Sequence, residues 1–180
     1  MSDEIRRQAR RHLGKHFTRA TAWRNPELLV VERAEGCYLW DDHGNKYLDG
    51  LAGLFCVNMG HGRADIADAA SRQLKQLSYA TNWAAAHPPS VEAATLIAEL
   101  APADLGVVFF VNSGSEANES AIKFAREYHL SQGQPERTKI LSRNMAYHGT
   151  TLGALSATGI PQFRSAFLPL LPWFRQVPNT

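Results

Sequence analysis

The spacing of apolar residues changes period along the chain, and each change marks an element. Ile5, Ala9, Leu13 and Phe17 recur every four positions, which gathers them into one stripe of a helix with arginines on its other faces. From Leu28 the spacing shortens to strand-like runs at 28–31, 37–40 and 46–48, separated by the turn sequences Glu35-Gly36 and Asp41-Asp42-His43-Gly44-Asn45. Three runs this short predict a small antiparallel meander, a unit that buries too little to stand alone. Residues 50–62 are glycine-rich yet apolar between the glycines, the pattern of a buried, closely approached backbone. Helical spacing returns at Ile66, Ala70, Leu74 and Leu77. It returns again after Ser90, which suits an N-cap, through Val91, Ala94, Thr95, Ile97 and Ala98 to about Pro102.

The run Gly106-Val-Val-Phe-Phe-Val111 is apolar throughout, as expected of a strand covered on both faces by helices. A helix over 115–131 follows, with Ala117, Ala121, Phe124, Ala125 and Tyr128 on one face and Gly133 placed to end it. Residues 139–141 read as a second short strand. Strand, helix and strand in that order predict a right-handed parallel crossover, so the architecture reads as α/β. From Leu168 to the end the sequence shows no further element, and a two-stranded parallel sheet would leave edges bare. The remainder of the sheet is therefore expected outside these residues, in the same polypeptide or a complementary chain.

Charge and composition narrow the class. Nineteen Lys and Arg against seventeen Asp and Glu give a net charge of +2, too little for a nucleic-acid surface. Residues 1–24 carry +5 and the rest −3, but a basic face on a surface helix reads as solvated and is given no chemical role. Cys37 and Cys56 form no disulfide or zinc pattern, so no metal is expected and a reducing cytoplasm is the expected location. No run approaches the length of a membrane span.

Candidate chemistry lies at two junctions. Val111-Asn-Ser-Gly-Ser-Glu-Ala-Asn118 stands where the apolar strand gives way to a helix, whose first-turn amides and positive dipole end favour a phosphate. Gly114 permits close approach there, and Ser113 and Ser115 add hydroxyls. The same spacing also makes Ser113 and Glu116 a capping box that needs no ligand, and sequence alone leaves both readings open. The stretch matches neither G-x-G-x-x-G nor G-x-x-x-x-G-K-[ST], nor the G-x-S-x-G of a hydrolase elbow. Further on, Asn144-Met-Ala-Tyr-His-Gly-Thr-Thr151 places Tyr147 and His148 at a strand's C-terminal end, where open α/β sheets bind ligands.

Together these residues carry a resemblance. Gly36-Cys-Tyr-Leu-Trp-Asp-Asp-His-Gly44, Tyr47-Leu-Asp-Gly50, Gly60-His-Gly62, His87-Pro-Pro89, 112–118 and Tyr147-His148-Gly149 resemble, in order, the N-terminal part of a class III aminotransferase, a pyridoxal-phosphate enzyme of fold type I. Leu54-Phe-Cys-Val-Asn58 with His87-Pro-Pro89 is similar to the ω-amino acid and amine:pyruvate transaminases within that family. The resemblance implies that residues 1–59 contribute to a small domain and 60–180 begin the cofactor-binding large domain. It implies pyridoxal 5'-phosphate as cofactor, with Ser113, Gly114 and Ser115 at its phosphate and Tyr147, His148 and Gly149 at its ring. It implies Phe55 and Trp83 in the substrate pocket, Trp83 across a homodimer interface.

A transaminase also needs a lysine for the Schiff base and an acid against the pyridinium nitrogen. Lys15, Lys46, Lys75, Lys123 and Lys139 do not stand in the family's lysine motif, so the catalytic lysine is expected downstream. The implied reaction moves an amino group from an ω-amino acid or amine to a keto acid such as pyruvate. An aminomutase, a decarboxylating relative and a non-catalytic binding module are the alternatives.

Overall fold

The computed structural model describes residues 2–16, 18, 28–102 and 104–179, which leaves Phe17, Arg19 and Arg24 outside the described residues. The chain forms two compact units, Met1–Pro88 and Pro89–Thr180. In the first, helix α1 (Ser2–His12) carries Asp3 and Glu4 in its first turn and Arg10, Arg11 and His12 in its last, both favourable to the helix dipole. Its basic face is not uniformly solvated. The Arg6 guanidinium pairs with Asp42 Oδ1 at 2.8 Å and donates to Leu28 O at 3.3 Å, with the two side chains only 12% and 6% exposed.

The meander forms as β1 (Val31–Glu35), β2 (Tyr38–Asp41) and β3 (Lys46–Leu48), antiparallel in that order. The first strand lies three residues later than its apolar run. Glu35 pairs with Tyr38 across a two-residue turn in which Gly36 has φ +55°, and that turn fixes the register whatever the polarity of the residues before it. The polar strand is compensated by stacking, with Arg33 3.7 Å from the Trp40 ring centroid and Lys46 3.8 Å from that of Tyr38. The second turn is built on Asp41, whose carboxylate accepts from His43 N–H (3.0 Å), Asn45 N–H (2.8 Å), Asn45 Nδ2 (2.9 Å) and Tyr47 OH (2.8 Å). These bonds, led by the Asn45 side chain, lower the Asp41 pKa to about 2.

Residues 50–62 are not buried as their composition suggests. Ala52–Phe55 is one helical turn in which Ala52, Gly53, Leu54 and Phe55 all have positive φ, between 48° and 68°. Phe55 on this turn is 73% exposed. Such a turn costs about 1–2 kcal/mol for each non-glycine residue. Asp49 holds it, accepting from Gly53 N–H and from His61 Nε2, each at 2.8 Å. Close approach occurs instead at Gly60, where a Cβ would meet Gly36 O at 3.4 Å. Helices α2 (Ala64–Gln76) and α3 (Pro88–Leu100) follow. Ser90 lies inside α3 rather than capping it, because the fixed φ of Pro88 and Pro89 suits the first helical turn.

The second unit departs most from the sequence reading. Residues 106–111 form no hydrogen-bonded strand, and Val107 is 94% exposed. An apolar run encodes a preference for burial, whereas a strand requires a neighbour, and none of the described residues pairs with it. The parallel pair is instead β4 (Ile140–Arg143) with β5 (Phe174–Val177), so the tail does contain an element. Prolines 169, 172 and 178 conceal β5, which is marked only by the buried Phe174. Helix α4 (Gly114–Ser131) ends as expected, with Gly133 at φ +69° donating to Leu130 O. Between β4 and β5 run α5 (Leu152–Ala157) and the single turn α6 (Pro161–Arg164). Small residues let α5 sink in after the exposed Leu152, with all of Gly153–Ala157 buried against α4, β4 and β5.

Candidate functional site

The start of α4 and the segment after β4 line one cleft of about 380 Å³, formed by Ser113, Gly114, Ser115, Asn118, Tyr147, His148 and Gly149. Ser113 is the N-cap, its hydroxyl accepting from Glu116 N–H at 3.2 Å. Glu116 Oε2 reaches back to Asn112 N–H at 2.7 Å and Asn112 Nδ2 at 3.2 Å. The capping arrangement left open by the sequence therefore forms, one residue longer than the usual box. It does not exclude an anion, because the Gly114 and Ser115 amides lie in the first turn, with no carbonyl one turn back to accept from them.

The second wall is pinned to the first. Asn118 Nδ2 donates to His148 O at 2.6 Å, and Ser115 Oγ accepts from Thr150 N–H at 3.1 Å. Gly149 has φ +130°, and a Cβ there would press onto Ser115 Oγ and stand 2.9 Å from Ala154 Cβ. Only glycine lets the two walls approach this closely. Behind them the fully buried Thr158 accepts from His148 N–H at 2.9 Å and donates to Gly149 O at 3.1 Å. The Tyr147 ring meets the Phe163 ring edge-on at 6.0 Å.

The structure thus gathers six sequence candidates, Ser113, Gly114, Ser115, Tyr147, His148 and Gly149, into one cleft. Phe55 and Trp83 lie in the Met1–Pro88 unit, where both side chains are open to solvent. Sequence reasoning gave no role to Asn118, Glu119 or Thr158. The helical spacing of Ser115, Asn118 and Glu119 could have flagged the first two as sharing a face; a threonine forty residues on carries no such signal. Among the described residues there is no cluster of three or more metal-ligating side chains, and no helix long and apolar enough to cross a membrane.

The family model Aminotransferase class-III matches residues 20–180. A probable aminotransferase of Mycobacterium tuberculosis is 46% identical over 170 residues, which cover 94% of this chain and 36% of that protein. The putrescine–pyruvate aminotransferase of Pseudomonas aeruginosa is 44% identical over 132 residues, 73% of this chain and 29% of its own. Among solved structures, an (S)-enantioselective omega-transaminase from Thermomicrobium roseum aligns with a TM-score of 0.94 at 44% identity, covering 98% of this chain and 40% of that one. The chain spans about a third of the length of these curated relatives.

Proposed function

Because the chain belongs to the class III aminotransferases, we propose that it supplies the phosphate-holding and ring-facing part of a pyridoxal 5'-phosphate site in an enzyme that transfers amino groups. The observation that carries this is the single cleft in which the first turn of a long helix meets Tyr147, His148 and Gly149. The donor set fits such a group. Two first-turn amides and the Ser115 hydroxyl suit a phosphate, and Gly149 leaves room where a side chain would intrude on Ser115. The exposed Tyr147 ring offers a face for a flat heteroaromatic. When bound, the cofactor supplies the electron sink that makes a proton next to the amino nitrogen of a donor removable. This chain's residues bind and orient: Gly114 and Ser115 fix the phosphate, and Tyr147 with His148 fixes the ring plane.

The amino donor is an ω-amino acid or amine, and the acceptor a keto acid such as pyruvate. The similarity to an enzyme named for putrescine and pyruvate supports that pairing. Phe55, held out on a strained turn anchored by Asp49, forms a wall of the donor pocket. Trp83 contributes across a homodimer interface. Residues 1–59 belong to the small domain and 60–180 to the large one, in a cytoplasmic protein. The lysine that anchors the cofactor lies outside these residues, since none of the five present stands in the lysine motif of the family.

The test is product analysis with the full-length protein, pyruvate and a panel of amines and ω-amino acids. Alanine formation in step with donor loss is expected. An isomerised amino acid formed without pyruvate, or release of carbon dioxide, contradicts the assignment in favour of an aminomutase or a decarboxylase.

A further inference from the structure

Resting on that reading of the cleft, we infer that Glu119 is a positioning residue that sets where Tyr147, His148 and Gly149 stand relative to the start of α4. Ser115, Asn118 and Glu119 are spaced to share one face of α4, and each is bonded to the segment that follows β4. Glu119 makes the most of these bonds. Its Oε1 accepts from Thr151 Oγ1 at 2.6 Å, Gly153 N–H at 2.9 Å and Ala154 N–H at 3.2 Å. The two amides belong to the first turn of α5 and have no carbonyl of their own helix to bond. Thr151 occupies the N-cap position of α5, yet its own side chain makes no capping bond. The cap is supplied by a carboxylate on a different helix, a sign favoured by the dipole at that end.

The sequence makes room for this tie. A Cβ at Gly153 would press onto Glu119 Oε2 and stand 2.8 Å from Cδ, so only glycine admits the carboxylate there. From the opposite side Thr158 holds His148 and Gly149. The cleft's second wall is therefore suspended between α4 and a buried hydroxyl, and Glu119 fixes its far end. A phosphate needs only the start of α4, the Gly114 and Ser115 amides with the Ser115 hydroxyl. A ligand that carries a ring on its phosphate also needs the wall at the right distance, so Glu119 separates the two ligands.

The experiment uses the full-length apo-protein, titrated with pyridoxamine phosphate, which has the phosphate and ring but cannot bond to a lysine aldehyde-fashion, and with inorganic phosphate by competition. Glu119→Ala is expected to weaken pyridoxamine phosphate about tenfold while phosphate changes less than about twofold, the signature of misplacement rather than general loosening. Glu119→Gln keeps an acceptor oxygen at the same reach and is expected within about threefold of the parent for both ligands. Equal losses of both ligands in Glu119→Ala, or no loss of either, overturn the inference, as does Glu119→Gln behaving like Glu119→Ala. Should the alanine variant not fold, Thr151→Val removes one of the three donors and must show the same inequality at about fivefold or less; its absence overturns the inference equally. A parent protein that binds neither compound overturns the functional reading and this one with it. A parent that binds both, with variants that do not discriminate, overturns this one alone.

Discussion

Gly149 concentrates the demands that the cleft makes on single residues. At φ +130°, with Ser115 Cα at 3.0 Å and Ala154 Cβ at 2.9 Å from any added Cβ, it has no room for a side chain on either count. Gly149→Ala is expected to destabilise the protein by about 1–3 kcal/mol, read as a lower Tm, and to weaken cofactor binding because the walls must part. Asp41 makes a prediction in pH. Its folded-state pKa, about 2, lies below the ordinary carboxylate value, so its contribution is whole above pH about 4 and is lost as pH falls towards 2. Asp49, lowered chiefly by its bond to His61, acts in the same direction. Acid unfolding followed by circular dichroism should show this loss, and Asp41→Asn should flatten it. Much at this scale was legible, because Ser113, Gly114 and Tyr147 sit in short local motifs whose chemistry depends on neighbours in sequence. Thr158 was not, because its role depends on a segment ten residues away that only folding brings to it.

At the scale of elements, α4 joins two tasks that can be separated. Ser113 caps the helix, and Ser113→Ala should cost about 0.5–2 kcal/mol with a modest effect on cofactor retention. Ser115 ties the helix to Thr150 and faces the cleft, so Ser115→Ala should reverse that balance, with faster cofactor loss on dialysis. Helices were read well because their period is carried by their own residues, and the end of α4 at Gly133 needed nothing else. Strands were read poorly for the complementary reason. The run 106–111 has the composition of a strand without a partner among the described residues, whereas β5 has a partner and little strand composition. The register of β1 came from the Gly36 turn and not from the apolar residues that precede it.

Across the whole molecule, the small net charge and the large exposed apolar surface point the same way. The site proposed here, one phosphate on backbone amides, needs no basic surface, and +2 is sufficient for it. Val107, Leu100 and Trp83 are each more than four-fifths exposed in a chain that covers 40% of the omega-transaminase it superposes on. The 180-residue chain expressed alone is therefore expected to bind a hydrophobic dye strongly, and the full-length protein weakly. The central claim is that this chain cradles the cofactor while the anchoring lysine lies elsewhere. Borohydride reduction of the full-length holoenzyme followed by peptide mapping tests it most directly. The account predicts a pyridoxal-phosphate absorption band that is lost on reduction, with the pyridoxyl group fixed to a lysine other than Lys15, Lys46, Lys75, Lys123 and Lys139. A pyridoxyl group on any of those five, or no cofactor band in the intact protein, contradicts it.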